Sequence, residues 1–160
     1  MGTHVNLRLL LERLRGSKKK EGLCCVFIDY KSAYNTVLRD VLYRALIAKN
    51  ILNPQETEFL KLMHDCLYFQ VETGERFHFP PDEVHQSSPI SPALFDIYME
   101  DAMRDIREGC SDKNLWYKLY ADDLVLMTTH NHLESLLSTL HEVSGRFNLR
   151  VNPKKSAVFV

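Results

Sequence analysis

This 160-residue chain lacks any arrangement of its four cysteines that builds a site. Cys24, Cys25, Cys66 and Cys110 include no Cys-x-x-Cys pair, so the spacing of a zinc ribbon or a redox motif is missing and a reducing, intracellular setting is expected. Cys24 and Cys25 fall inside an apolar run and read as small core residues. His130-Asn131-His132 offers two imidazoles, but no third ligand lies near them in the sequence. An apolar run of about 18 residues is also lacking, as is a secretory leader pattern, so neither a membrane span nor a signal peptide is expected. No internal repeat and no linker is visible. Charge of one sign is not in excess either: 20 basic residues face 21 acidic ones, for a net charge of −1. The totals therefore give no electrostatic reason to expect nucleic acid binding. The basic residues are uneven, with a run at Lys18, Lys19 and Lys20 that reads as a solvated turn.

What is present is an ordinary globular composition, 45% apolar and 26% charged, in a length that suits one domain with a real core. Leu7, Leu10, Leu11 and Leu14 have helical spacing, with Gly16 as a stop. "LCCVFID" (23–29) is a short apolar run that reads as a buried strand ending in an acid. Leu38, Leu42, Ala45 and Leu46 mark a second helix. Pro54 sits near the start of a third, with Phe59, Leu60, Met63 and Leu67 as its apolar positions. "YFQVE" and "RFHF" flank Thr73-Gly74-Glu75 as a hairpin. "PPDEVHQSSP" (80–89) cannot hold regular structure for long. Leu94, Ile97, Tyr98 and Ala102 predict a long helix over 90–106. "WYKLY" and "LVLM" read as strands, Leu133, Leu136, Leu137 and Leu140 as another helix, and "LRVN" and "SAVFV" as final short strands. The alternation predicts an α+β fold, a small antiparallel sheet with helices packed on one face.

Two acids interrupt the apolar pattern in "KLYADDLVLM" (118–127). Adjacent residues inside a strand point to opposite faces, but at a hairpin tip the backbone reverses and Asp122 and Asp123 can be presented near one point. If the strand ending at Asp29 lies beside that hairpin, three carboxylates converge at one sheet edge. At ~4 Å and an effective dielectric of ~20, two unit charges interact by roughly 4 kcal/mol. Divalent cations would offset that repulsion. Mg²⁺ prefers hard oxygen ligands, and two such ions can clamp an in-line phosphoryl displacement. A solvated acidic turn beside an unrelated strand end is the plainer alternative for "DD" alone.

Longer motifs narrow the choice. "YADD" (120–123), "VFIDYKSAYNTV" (26–37), "HQSSPISPALFDIYMEDAM" (85–103) and "NLRVNPKKSAVF" (148–159) resemble the signatures of reverse transcriptases of the non-long-terminal-repeat retrotransposon and group II intron type, and along the chain they occur in that family's order. The third is similar to QGxPLSPxLFNLYIxDL and the fourth to xLKxNxxKT. The opening "NLRLLLERLRGSKKKEGLCCVFIDYKSAY" is similar to the helix and loop that lead into the family's first palm motif.

The resemblance implies a polymerase palm-like domain spanning 1–160, with 1–22 as the remnant of a fingers-side helix and basic loop, and with fingers and thumb largely absent. It implies an RNA-directed DNA polymerase adding nucleotides to a primer 3′ end on an RNA template. Asp29, Asp122 and Asp123 would hold two Mg²⁺ ions, and the main-chain carbonyl of Tyr30 would add a ligand. Tyr34 would lie under the incoming sugar and exclude a 2′-hydroxyl, Gln86 would contact template and nucleotide, and Lys155 would sit near the leaving pyrophosphate. Pro89, Ser91 and Pro92 read as helix-start chemistry, with serine as a cap. The expected partners are an RNA template, a DNA primer and other protein chains or RNA supplying the missing fingers and thumb; no membrane is expected. The pattern departs from the family at Ser87 and Glu83, where glycines are usual. Ser87 adds a side chain beside the nucleotide pocket and Glu83 adds negative charge. Asn35 replaces a common aspartate that is not a metal ligand. These departures motivate an alternative, a catalytically retired structural subunit of a larger ribonucleoprotein or organellar assembly. A nuclease reading is weaker, because no His or Lys base is placed for hydrolysis.

Overall fold

The computed structural model describes residues 22–66, 68–78, 84, 89–120 and 122–160. The expected helix around Leu7–Leu14, the lysine run, Glu83, Gln86, Ser87 and Leu67 lie outside the described residues. The elements in chain order are β1 (Leu23–Asp29), a 3-10 turn (Ala33–Thr36), α1 (Arg39–Ala48), α2 (Pro54–Cys66), β2 (Tyr68–Gln70), β3 (Arg76–His78), α3 (Ser91–Gly109), β4 (Trp116–Tyr120), β5 (Asp123–Thr129), a 3-10 turn (His130–His132), α4 (Leu133–Arg146) and β6 (Ala157–Phe159). The expected mixture of helices with a small antiparallel sheet is observed.

Two compact units are distinguishable among the described residues. One holds 22–30, Ile106–Glu142 and Val151–Val160; the other holds Lys31–Asp105 and Val143–Arg150. The first contains the four-stranded sheet, in the order β4-β5-β1-β6. β1 is antiparallel to β5 along its whole length, from Leu23 opposite Thr129 to Asp29 opposite Asp123. β4 continues the sheet beyond β5, with Trp116 opposite Met127 and Tyr120 opposite Asp123. The period-2 alternation explains part of the burial. Cys24, Val26, Ile28, Leu124, Leu126 and Thr128 share one face and are buried; on the other face Phe27 and Val125 are half-buried, while the paired Cys25 and Met127 are buried as well. Burying each large aliphatic side chain stabilises the fold by about 1.5–3 kcal/mol. At the end of α3, Gly109 lets the chain approach α4 closely. A Cβ built there would stand 2.8 Å from Thr139 Cγ2, and Thr139 Oγ1 donates to the Gly109 carbonyl at 3.3 Å.

In the second unit, α2 opens with a reciprocal cap. Asn53 Oδ1 accepts from the Glu56 amide at 2.9 Å, and Glu56 Oε2 accepts from the Asn53 amide at 2.8 Å. Pro54 takes the first helical position, where its missing N–H costs nothing. The apolar stripe expected on this helix is displaced. Thr57, Leu60 and His64 are its buried residues, whereas Phe59 is 65% exposed and Met63 is half-exposed. Spacing alone admits two neighbouring stripes, and the buried one uses a threonine and a histidine. His64 is satisfied there by the Tyr43 hydroxyl, 2.7 Å from its Nδ1. The β2–β3 hairpin turns at Gly74, whose φ of 88° is the left-handed conformation that glycine adopts without a Cβ clash. Tyr98 is fully buried on α3; its hydroxyl accepts from the Leu38 amide at 3.3 Å and donates to the Phe147 carbonyl at 2.7 Å. Ser91 departs from the expected cap: it is the first residue of α3, and its buried Oγ has no hydrogen-bond partner among the described residues. "LRVN" forms a single bridge, Tyr30 to Val151, where a short strand was expected.

Candidate active site

The β1–β5 register brings distant acids together. Asp29 ends β1 and Asp123 opens β5, and they face each other as direct partners although 94 positions apart. Directly opposed residues of an antiparallel pair project to the same face, with Cβ atoms about 4.5–5.5 Å apart, and like charges there are destabilising. Because Tyr120 pairs with Asp123, only two positions separate β4 from β5, and Asp122 is one of them. The hairpin-tip placement expected for the acidic pair is therefore observed. Asp123 registers the crowding. Partial withdrawal from water pushes its carboxyl above the ordinary range, the charges of Asp122 and Asp29 push it further, and Lys155 opposes them.

Asp29 is held by a turn 123–127 residues further along the chain. The Asn152 amide donates to the Asp29 carbonyl at 2.8 Å. Asn152 Nδ2 donates to Asp29 Oδ2 at 2.9 Å, and the Asp29 amide donates to Ser156 Oγ at 3.1 Å. Lys155 Nζ lies 3.6 Å from Asp29 Oδ1, on a side chain that is 70% exposed. Neither Asn152 nor Ser156 was singled out by the sequence reading. Asn152 stands in the last of the four motifs, so a role was signalled there without its geometry.

The donor set can be tested against the divalent ions that the motifs imply. It consists of hard carboxylate oxygens carrying an excess of negative charge, which suits a hard cation. Among the described residues no group of three His, Cys, Asp or Glu side chains is already closed around one point. That accords with Asp29, whose two oxygens are engaged by Asn152 and Lys155. The chemistry of the set fits; the ligand ring is not preassembled. His132 Nδ1 is 2.8 Å from the Ser111 hydroxyl, and no metal-binding group forms around it among the described residues.

Tyr34 and Tyr30, also named from the sequence, lie among the described residues. Tyr34 belongs to the second unit, where its ring stacks on Phe95 with centroids 4.6 Å apart. Tyr30 is buried at the end of β1, bridged to Val151. Gln86 lies outside the described residues. Among those residues no helix is long and apolar enough to cross a membrane.

The chain is similar to known proteins in sequence and in fold. A family profile described as "Reverse transcriptase (RNA-dependent DNA polymerase)" matches residues 5–160, and proteins of that family use divalent metal ions. The chain is 25% identical, over 162 aligned positions, to the "Retrovirus-related Pol polyprotein from type-1 retrotransposable element R2" of Nasonia vitripennis, covering 96% of this chain and 16% of that protein. Its fold is similar to telomerase from Candida tropicalis in complex with a fragment of telomeric RNA, with a TM-score of 0.69 at 14% identity, over 98% of this chain and 29% of the other. The Candida albicans telomerase is alike, with a TM-score of 0.67 at 16% identity, over 96% of this chain and 28% of the other. At such identities the likeness is one of fold, the polymerase palm-like arrangement. The chain spans about a sixth of the retrotransposon protein and under a third of these telomerase chains.

Proposed function

The chain belongs to the reverse transcriptase family, in its non-long-terminal-repeat branch, and from that membership we propose that it is the palm of an RNA-directed DNA polymerase. Its reaction is nucleotidyl transfer from a deoxynucleoside triphosphate to a primer 3′ end on an RNA template. The observation that carries the reading is the strand register setting Asp29 opposite Asp123, with Asp122 beside them. Opposing two carboxylates at the ends of the two inner strands costs stability and gives a purely structural protein nothing in return.

In the reaction, the primer 3′-oxygen bonds to the α-phosphorus, the bond from that phosphorus to the oxygen bridging to the β-phosphate breaks, and pyrophosphate leaves. The hydroxyl proton passes to solvent. When bound, two Mg²⁺ ions would supply Lewis-acid activation of the hydroxyl and charge neutralisation of the phosphates. Asp29, Asp122, Asp123 and the Tyr30 carbonyl are assigned as the oxygens that hold them. Lys155 is assigned to the departing pyrophosphate, where an ammonium offsets growing charge. Tyr34, its ring backed by Phe95, is assigned to excluding a 2′-hydroxyl by contact, and Gln86 to template and nucleotide.

Primer extension on an RNA template with Mg²⁺ tests the reading, using the chain alone and with candidate partner chains. Product should appear in at least one combination and fall at least a hundredfold with Asp123→Asn. Absence of product in every combination refutes it and leaves the structural-subunit alternative.

A further inference from the structure

We propose that Asn152 is the positioning residue that decides which oxygen of Asp29 faces a divalent cation, and that Lys155 is the resident counter-charge on that oxygen, yielded on metal loading. The inference rests on the reading of Asp29 and Asp123 as cation-facing carboxylates.

Asn152 grips Asp29 twice, through its main-chain amide to the Asp29 carbonyl at 2.8 Å and through Nδ2 to Oδ2 at 2.9 Å. Ser156 Oγ takes the Asp29 amide at 3.1 Å. One turn thus holds the main chain of Asp29 on both sides as well as its side chain, so the carboxylate cannot rotate away independently. The orientation of the Asn152 amide is itself determined. Its Oδ1 accepts from the Lys154 amide at 3.3 Å, which turns Nδ2 toward the carboxylate; the flipped amide would set oxygen against oxygen. The turn is closed by the Asn152 carbonyl, which accepts from the amides of Lys155 at 3.1 Å and Ser156 at 2.9 Å.

With Oδ2 committed to Asn152, Oδ1 is the oxygen left to face a cation. Lys155 Nζ stands over it at 3.6 Å, from a side chain that is 70% exposed. A contact that long and that exposed is weak and exchangeable. Lys155 therefore balances the acids while the site is empty of metal, and turns from Asp29 to the substrate phosphates once a divalent charge has taken its place. Metal loading and the release of Lys155 become one event.

Mn²⁺ is the probe, titrated into the 160-residue chain and its variants with affinity read by isothermal calorimetry or by loss of the free-ion resonance signal. Asn152→Ala should weaken Mn²⁺ about tenfold, the usual effect of losing a group that orients a metal ligand. Lys155→Met, a change at an exposed side chain, should tighten Mn²⁺ about two- to fivefold by removing the competitor. A purely structural Asn152 would change the melting temperature and leave Mn²⁺ affinity alone. A folded Asn152→Ala variant with unchanged affinity overturns the assignment, and so does a Lys155→Met variant that binds no tighter. If Asn152→Ala does not fold, the Lys155→Met arm decides. Asp123→Asn separates the two levels of the argument. A wild-type titration that Asp123→Asn leaves untouched refutes the carboxylate reading itself. A titration sensitive to Asp123→Asn but indifferent to the other two variants refutes only the role given to Asn152 and Lys155.

Discussion

Replacing Asp123 by Asn should stabilise this protein at neutral pH when no divalent ion is present. Asp123 opposes Asp29 across β1 and β5 and feels Asp122 as well. At roughly 6 Å between carboxylates, one exposed and one half-buried, an effective dielectric of about 60–80 puts the Asp29–Asp123 repulsion at about 0.5–1 kcal/mol. For a chain of this length about 1 kcal/mol moves the melting temperature by about 2–4 °C, so Asp123→Asn should gain about 1–3 °C at pH 7 in EDTA at low salt. The pH dependence has a definite sign. The folded-state pKa is raised, so the native state holds the proton more tightly than the unfolded chain does. Between the ordinary carboxylate range and the raised value, stability falls as pH rises. Below that range both states are protonated and the gain from Asn should vanish. Scanning calorimetry at pH 7 and pH 3, with Asp29→Asn and the double variant completing a thermodynamic cycle, measures the coupling directly. Adding 0.5 M salt should shrink it, and millimolar Mg²⁺ should raise the wild-type melting temperature but not that of Asp123→Asn. A cycle with zero or favourable coupling would show that the two carboxylates do not face each other, and the proposed active site would fail with it.

Two further changes probe the scaffold. Tyr98→Phe removes the hydroxyl that bridges the Leu38 amide and the Phe147 carbonyl in a fully buried position; urea denaturation should show a loss of about 1–3 kcal/mol, and a change below about 0.5 kcal/mol would mean that water satisfies these groups. Gly109→Ala should destabilise by about 1 kcal/mol because the new Cβ meets Thr139 Cγ2, a methyl on a β-branched side chain with little rotamer freedom in a helix. In a Thr139→Ser background, which lacks that methyl, the same change should become neutral or stabilising, since alanine is the better helix former; an equal cost in both backgrounds would count against the close approach.

The elements nearest the acids were the most legible. "LCCVFID" became β1 to the residue, and the acidic pair lies where two strand-like runs had to reverse, because strand periodicity and its interruption are properties of a few neighbouring residues. The α2 face was not legible. Phe59 and Met63 look like core residues by hydrophobicity, yet the helix buries Thr57, Leu60 and His64. That choice depends on Tyr43, 21 positions away, whose hydroxyl supplies a partner for the buried imidazole. Ser91 looked like a cap by residue type, but it lies inside the helix with its hydroxyl buried.

The amino-acid order by itself determined the family, the strands that end or begin in acids, and the helices with a single strong apolar stripe. Those are carried by local chemistry, by spacing within a turn or a pleat. Only the tertiary structure decided that Asp29 meets Asp123 and that Asn152, Lys155 and Ser156 close over Asp29. Such contacts join positions about a hundred residues apart, and they follow from the pairing register of whole strands, which no short window of sequence contains.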